Sequence, residues 1–221
     1  MVSIIVPMAG EGARFKEKGY TFPKPLIELN GKPMIQVVVE NISPLIEHRF
    51  TFICRKEQYE KYALRDLLHL ISPKCNIVTI DRLTEGAACT VLLASEYFNN
   101  EQELVIANSD QYVEIDINDF IMDARKRKLD GNIMTFAASH PKWSYAKLDE
   151  DGYVIEVAEK RPISSHATVG IYYYRQGKMF FEATGAMIEK NIRVNNEFYV
   201  CPVYNEIILT GQKIGIFEID A

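Results

Sequence analysis

Residues 3–27 read SIIVPMAGEGARFKEKGYTFPKPLI, and the chain is best read outward from them. An apolar run, Ile4-Ile5-Val6, leads into a loop holding Gly10 and Gly12; Arg14 follows, and Lys24 stands between Pro23 and Pro25. Small residues at 9, 10, 12 and 13 leave the backbone N–H groups unscreened, so a ligand can approach them closely. Arg14 is able to grip two oxygens at once, whereas Lys24 acts as a point charge. Two fixed cations beside such a loop suit a polyphosphate. Pro23 and Pro25 hold their own φ and bias the preceding residue towards extended backbone, which stiffens the segment that carries Lys24. A dinucleotide fingerprint is excluded: its third glycine position is Phe15, and no acidic residue closes a second strand about 20 residues on. A P-loop is excluded too, because G-K-[S/T] is absent. A strand-to-helix turn with incidental glycines is the bland alternative, against which Arg14 and Pro23-Lys24-Pro25 weigh together.

The pattern resembles the nucleoside-triphosphate loop of the sugar-nucleotidylyltransferase family, whose members carry G-x-G-x-R and then, after a variable gap, K-P. The form PMAGEGARF with GYTFPKPLI resembles the branch found with bacterial capsule and surface-polysaccharide genes. The resemblance runs over nearly the whole chain. It implies a three-layer Rossmann-like α/β/α fold with a mostly parallel sheet and a small acceptor-binding β subregion. It also implies one nucleotidylyltransferase domain over 1–221, with a nucleotide-binding half (1–139) and an acceptor-binding half (140–221).

With 221 residues, 48% hydrophobic and 25% charged, the chain has room for one large α/β domain with a real core. A net charge of −5 and a pI near 5.5 argue against generic nucleic-acid binding. Cys54, Cys75, Cys89 and Cys201 are scattered without a C-x-x-C pair, so neither a zinc site nor a disulfide framework is expected. The four histidines show no ligand spacing. No apolar run approaches the ~18 residues of a membrane span, and the chain opens on a strand rather than a signal peptide. The expectation is a cytoplasmic protein with reduced thiols, no membrane partner and a homodimer left open.

Apolar runs of strand and helix period alternate, which argues for parallel βαβ units. Strands are expected at 2–8, 50–54, 77–80, 104–107, 133–138, 167–174 and 213–219. Helices are expected at 34–46, 57–71, 86–98, 116–128, 178–190 and 200–210. A hairpin over 146–160 should turn at Asp149-Glu150-Asp151-Gly152. The basic run Arg125–Lys128 ends a helix and reads as a solvated face matched to the helix dipole. Ligands of open parallel sheets lie beyond the carboxyl ends of the strands, so the loop after the first strand and Asp110 should face one cleft.

The resemblance assigns roles residue by residue. Met8, Ala9, Gly10, Glu11, Gly12 and Ala13 form the nucleotide loop, with Arg14 and Lys24 as catalytic cations. Asp110, at the end of an apolar strand with Asn108 and Ser109, holds Mg²⁺, and Ser109 borders the nucleotide. One carboxylate with phosphate oxygens and waters is a site Mg²⁺ accepts; a helix cap or Asx-turn is the structural alternative. Asp220 is the nearest candidate for a second metal ligand. Glu85, Gly86, Ala87 and Ala88 open a helix and border the base, although Ala87 replaces the family's Thr and Glu85 its Gln. Tyr145, Glu159, Lys160, Gly170 and Glu197 belong to the acceptor site, in an order matching the family's aromatic loop, E-K and A-x-x-G-x-Y.

The implied reaction is transfer of a nucleotidyl group from a nucleoside triphosphate to a phosphorylated small molecule, with Mg²⁺ and release of pyrophosphate. The PMAG form and the short C-terminus, which lacks the G-T-P-x-D segment of many members, resemble cytidylyltransferases and imply CMP transfer from CTP. In the capsule branch the implied acceptor is phosphoglutamine; a sugar 1-phosphate with UTP, dTTP or CTP is the alternative. A glycosyltransferase of related fold would show D-x-D where Asn108-Ser109-Asp110 stands, and a non-catalytic nucleotide-binding protein would lack Lys24 or Asp110.

Overall fold

The structure is a computed structural model that describes residues 1–10 and 22–220. Strand β1 (Val2–Pro7) is buried on both faces, in keeping with its apolar run Ile4-Ile5-Val6. Val2, Ile4 and Val6 face one helical layer and Ile5 faces the other, because successive side chains of a strand point to opposite sides. The first layer contains α1 (Met34–Ile42), α2 (Lys56–Lys61), α3 (Leu64–Ile71) and α5 (Ile117–Lys126); Ile35, Val38, Leu68 and Phe120 from it pack on the sheet. The second contains α4 (Ala87–Leu92), α6 (Gly177–Glu189) and α7 (Val203–Leu209), which supply Val91, Phe180 and Tyr204. The result is the expected three-layer arrangement around a mostly parallel sheet.

β2 (Glu28–Leu29) and β3 (Lys32–Pro33) form a separate antiparallel pair before α1. Along the main sheet the order is β11 (Ile214–Ile219), β7 (Gly131–Ala137), β10 (His166–Tyr174), β6 (Glu103–Ala107), β1, β4 (His48–Arg55) and β5 (Asn76–Ile80). The β11–β7, β6–β1, β1–β4 and β4–β5 pairs are parallel. β10 runs antiparallel between β6 and β7, which the expectation of successive βαβ units had not included. Its direction follows from the hairpin of β8 (Ser144–Leu148) and β9 (Val154–Glu159): β8 pairs antiparallel with β10 at His166 and Ala167. One edge of β10 therefore pairs with β8 at its start and with β6 from Ile171 onward. The register against β7 shifts between Thr168 and Tyr172.

Several helices stop short of the periodic pattern, each for a local reason. The helix expected at 34–46 ends at Ile42 because Ser43 precedes Pro44 and is extended, with φ −82° and ψ 106°. The helix expected at 200–210 begins at Val203, after Pro202. The pattern over 57–71 is broken by Ala63, which sits in left-handed backbone at φ 48° and ψ 33° and splits it into α2 and α3. Asp116 caps α5 by accepting from the Asn118 N–H at 2.9 Å. All four cysteines are free, and burial pushes the Cys54 thiol up to about 12, which leaves it inert. Among the described residues no helix is long and apolar enough to cross a membrane.

A left-handed alanine carries a Cβ penalty that glycine escapes. Ala63→Gly should raise the unfolding free energy by up to about 1 kcal/mol, because that relief exceeds the added freedom of the unfolded chain. Urea denaturation measures it, and a clear loss of stability would contradict the assigned backbone conformation.

Candidate active site

Two adjoining cavities lie beyond the carboxyl ends of the parallel strands. One, about 440 Å³, is bounded by Ala9 and Gly10 after β1, by Gly86 and Ala87 at the start of α4, and by Glu197. The other, about 290 Å³, is bounded by Trp143 and Ser144 before and in β8, Glu159 at the end of β9, Gly170 in β10, and Tyr199. Ala87 lies in the wall of both.

The smaller cavity opens where β10 changes partner. Gly170, at φ 97°, turns the chain through the gap between β8 and β6, and its carbonyl accepts from the Asn108 N–H at 3.0 Å. A Cβ there would come within 2.2 Å of both Asn108 Nδ2 and Gln111 Oε1. These two amides bond each other at 3.1 Å on the cavity wall. Asn108 and Gln111 were not anticipated as site residues, although they flank the Ser109-Asp110 segment that was.

Backbone bonding joins the two cavities. The Phe198 N–H donates to the Glu85 carbonyl at 2.7 Å, and the Phe198 carbonyl accepts from the Ala88 N–H at 3.0 Å. Phe198 itself is buried, and its neighbours Glu197 and Tyr199 line different cavities. Gly86, at φ 125°, lets this backbone approach: a Cβ would lie 2.4 Å from the Phe198 carbonyl oxygen. Arg193 closes the outside, stacking on the Phe198 ring at 4.3 Å and ion-pairing with Glu85.

The anticipated residues divide accordingly. Ala9, Gly10, Gly86 and Ala87 share the larger cavity, whereas Glu11, Gly12, Ala13 and Arg14 lie outside the described residues. Met8 is buried and its N–H is bonded to the Ile53 carbonyl at 2.8 Å, and Ala88 is fully buried with its N–H held by Phe198. Neither is among the residues lining the cavity, and the Glu85 side chain turns to Arg193. Ser109 is buried at the turn after β6. Of the acceptor set, Glu159 and Gly170 line the smaller cavity, and Glu197 lines the larger one instead. Tyr145 is buried beneath, its hydroxyl donating to the His140 carbonyl at 2.7 Å. Lys160, in left-handed backbone at φ 53°, donates from Nζ to the Tyr199 hydroxyl at 2.7 Å. Lys24 and Asp110 form an ion pair. Asp220 lies with Gln111 and Tyr112 on a third cavity of about 880 Å³.

Electrostatics marks Glu159. Burial pushes its carboxyl above the ordinary glutamate value, opposed by the hydrogen bond from Ser144 and the nearby Lys160 charge. The Lys160 ammonium is held above its usual value, chiefly by its bond to the Tyr199 hydroxyl. Among the described residues no group of three or more His, Cys, Asp or Glu side chains is placed to hold a metal ion.

Residues 4–203 match the nucleotidyl transferase family. The chain belongs to that family. It is 26% identical over 189 residues to the bifunctional protein GlmU of Methanocaldococcus jannaschii, covering 84% of this chain and 41% of that protein. It thus spans less than half the length of this curated relative. The nucleoside-diphosphate-sugar pyrophosphorylase of Vibrio cholerae RC9 superposes with a TM-score of 0.81 at 26% identity, covering 98% of this chain and 92% of that one. The inositol-1-phosphate CTP transferase of T. maritima, at 14% identity and a TM-score of 0.75, shares the fold over 99% of this chain and 85% of its own.

Two outcomes test this geometry. Gly86→Ala forces a Cβ onto the Phe198 backbone in a conformation alanine resists, and should destabilise the protein by at least ~2 kcal/mol in chemical denaturation. A carboxyl whose folded value is raised adds stability when protonated and loses that contribution as pH rises through the folded value. Glu159→Gln should therefore be more stable than the parent at neutral pH, with the difference vanishing as pH falls below the ordinary glutamate range; pH-dependent urea melts measure both.

Proposed function

We propose that this chain is a Mg²⁺-dependent nucleotidylyltransferase that moves CMP from CTP to a phosphorylated small molecule and releases pyrophosphate. The observation that carries the reading is the pair of cavities with Ala87 as a common wall, one against Ala9 and Gly10 and one against Glu159 and Gly170. Two substrates that must react phosphate to phosphate need two such adjoining pockets. The first half of the chain then serves mainly the nucleotide and the second mainly the acceptor, within one domain, with Asn108 and Gln111 reaching the acceptor side and Glu197 the nucleotide side.

An acceptor phosphate oxygen attacks the α-phosphorus, a P–O bond forms, and the bond to the β-phosphate oxygen breaks. The nucleophile is already ionised at neutral pH, so positioning and charge neutralisation do the work and no protein base is required. The Gly10 loop and Arg14 take the β- and γ-phosphates. Lys24, ion-paired with Asp110, would supply a cation to the α-phosphate and the acceptor phosphate. Lys160 and Tyr199 offer a cation and a hydroxyl on the acceptor side.

Asp110, with Asp220, would hold the Mg²⁺. The fit is to a sparse site of one or two carboxylates completed by substrate oxygens, which this ion prefers over an all-protein cage. When bound, the ion supplies charge neutralisation on the triphosphate. The favoured acceptor is phosphoglutamine, giving a CDP-linked glutamine for surface-polysaccharide modification. A sugar 1-phosphate is the second reading, favoured by the likeness to the Vibrio cholerae pyrophosphorylase.

Pyrophosphate release, measured with Mg²⁺, CTP, UTP or dTTP and a panel containing phosphoglutamine and sugar 1-phosphates, should single out one donor–acceptor pair. Lys24→Ala should lower kcat by at least ~10²-fold, as loss of a preorganised charge contact does elsewhere. Turnover close to the parent's would remove Lys24 from the reaction.

A further inference from the structure

The larger cavity has a polar edge whose hydrogens are already committed. Thr84 Oγ1 donates to the Gly86 carbonyl at 2.9 Å, Thr90 Oγ1 lies 3.2 Å from the same carbonyl, and the two hydroxyl oxygens are 2.6 Å apart. The Gly86 carbonyl also accepts the Thr90 N–H at 3.0 Å. A hydroxyl has one proton and two lone pairs. The 2.6 Å contact between the threonines consumes one of the two protons, and the carbonyl takes the other. Either assignment leaves the pair with no proton to offer a ligand, while lone pairs remain on two adjacent oxygens. Thr84, Thr90 and Gly86 all line the cavity, beside an apolar wall of Pro7, Ile80 and Leu83 suited to a planar ring.

We infer that Thr84, backed by Thr90, selects the nucleobase by accepting from an exocyclic amino group, so the donor carries an amine where uracil, thymine and hypoxanthine carry a carbonyl. One hydrogen of an amino group meets a remaining lone pair of Thr84. A carbonyl at the same place sets lone pair against lone pair, and one buried polar group goes unmatched. The inference rests on the nucleotidyl-transfer reading and adds the feature of the base that the site recognises.

Calorimetry of the intact chain with Mg²⁺ and no acceptor compares CTP with UTP and ATP with ITP, pairs that differ at this position as amine against carbonyl. In whichever pair binds, the amino member should bind about tenfold or more tightly, the scale of one mismatched buried hydrogen bond. Thr84→Ser, which keeps the hydroxyl, should keep the preference, and Thr84→Val should reduce it severalfold with an unchanged far-ultraviolet spectrum. Should Thr84→Val be misfolded, the parent and Thr84→Ser still decide the matter. Equal or tighter binding of the carbonyl member overturns the inference, as does a preference that survives intact in a folded Thr84→Val or is lost in a folded Thr84→Ser. Binding of dTTP or GTP alone, titrated in the same way, also overturns the inference, and absence of binding by all six triphosphates overturns the nucleotidyl-transfer reading itself, a distinct result.

Discussion

Backbone amides in a sheet must find partners, and the change of partner along β10 is the constraint from which the smaller cavity follows. β8 occupies one edge of β10 at His166 and Ala167, and β6 takes the same edge from Ile171. Neither strand pairs with the residues between. Gly170 spans that gap with a positive φ, hands its carbonyl to Asn108, and leaves room that a side chain would fill. A pocket at a sheet's interruption is held by rigid neighbours on three sides, which suits the positioning of a small acceptor.

The second element of the design is the clasp between Phe198 and the 85–88 segment. Phe198 anchors this segment in the core, and its neighbours Glu197 and Tyr199 line different cavities. The two cavities are therefore not independent: a shift of the 85–88 backbone would move the residues on either side of Phe198 that line them. Gly86 is the position at which this clasp admits no Cβ. Arg193, paired with Glu85 and stacked on Phe198, shields it from water.

Charge is distributed in keeping with an acidic protein that handles phosphates. The net charge is −5, while Lys24 and Lys160 are both carried on constrained backbone. Lys24 opens a short 3₁₀ turn between two prolines, and Lys160 occupies a left-handed residue behind β9. Each is already bonded, Lys24 to Asp110 and Lys160 to Tyr199, so neither long side chain is left to roam. Less ordering entropy then opposes the arrival of a phosphate.

Much of this was legible in the residues themselves. The apolar runs at 4–6 and 104–107 foretold buried parallel strands, and Asp149–Gly152 foretold the hairpin turn, because those signals are local and depend on period and turn chemistry. The glycine loop, Lys24, Asp110 and Glu159 could be singled out from their chemistry and order. The halt at Ala63, the reversal of β10, the removal of Met8, Ala88 and Tyr145 from the cavity walls, and the recruitment of Asn108, Gln111 and Thr84 were decided only in three dimensions. A residue's type and spacing determine what it can bond to. Which bond it makes depends on what strand pairing and packing bring beside it, as when Phe198 takes the N–H of Ala88, 110 positions earlier in the chain.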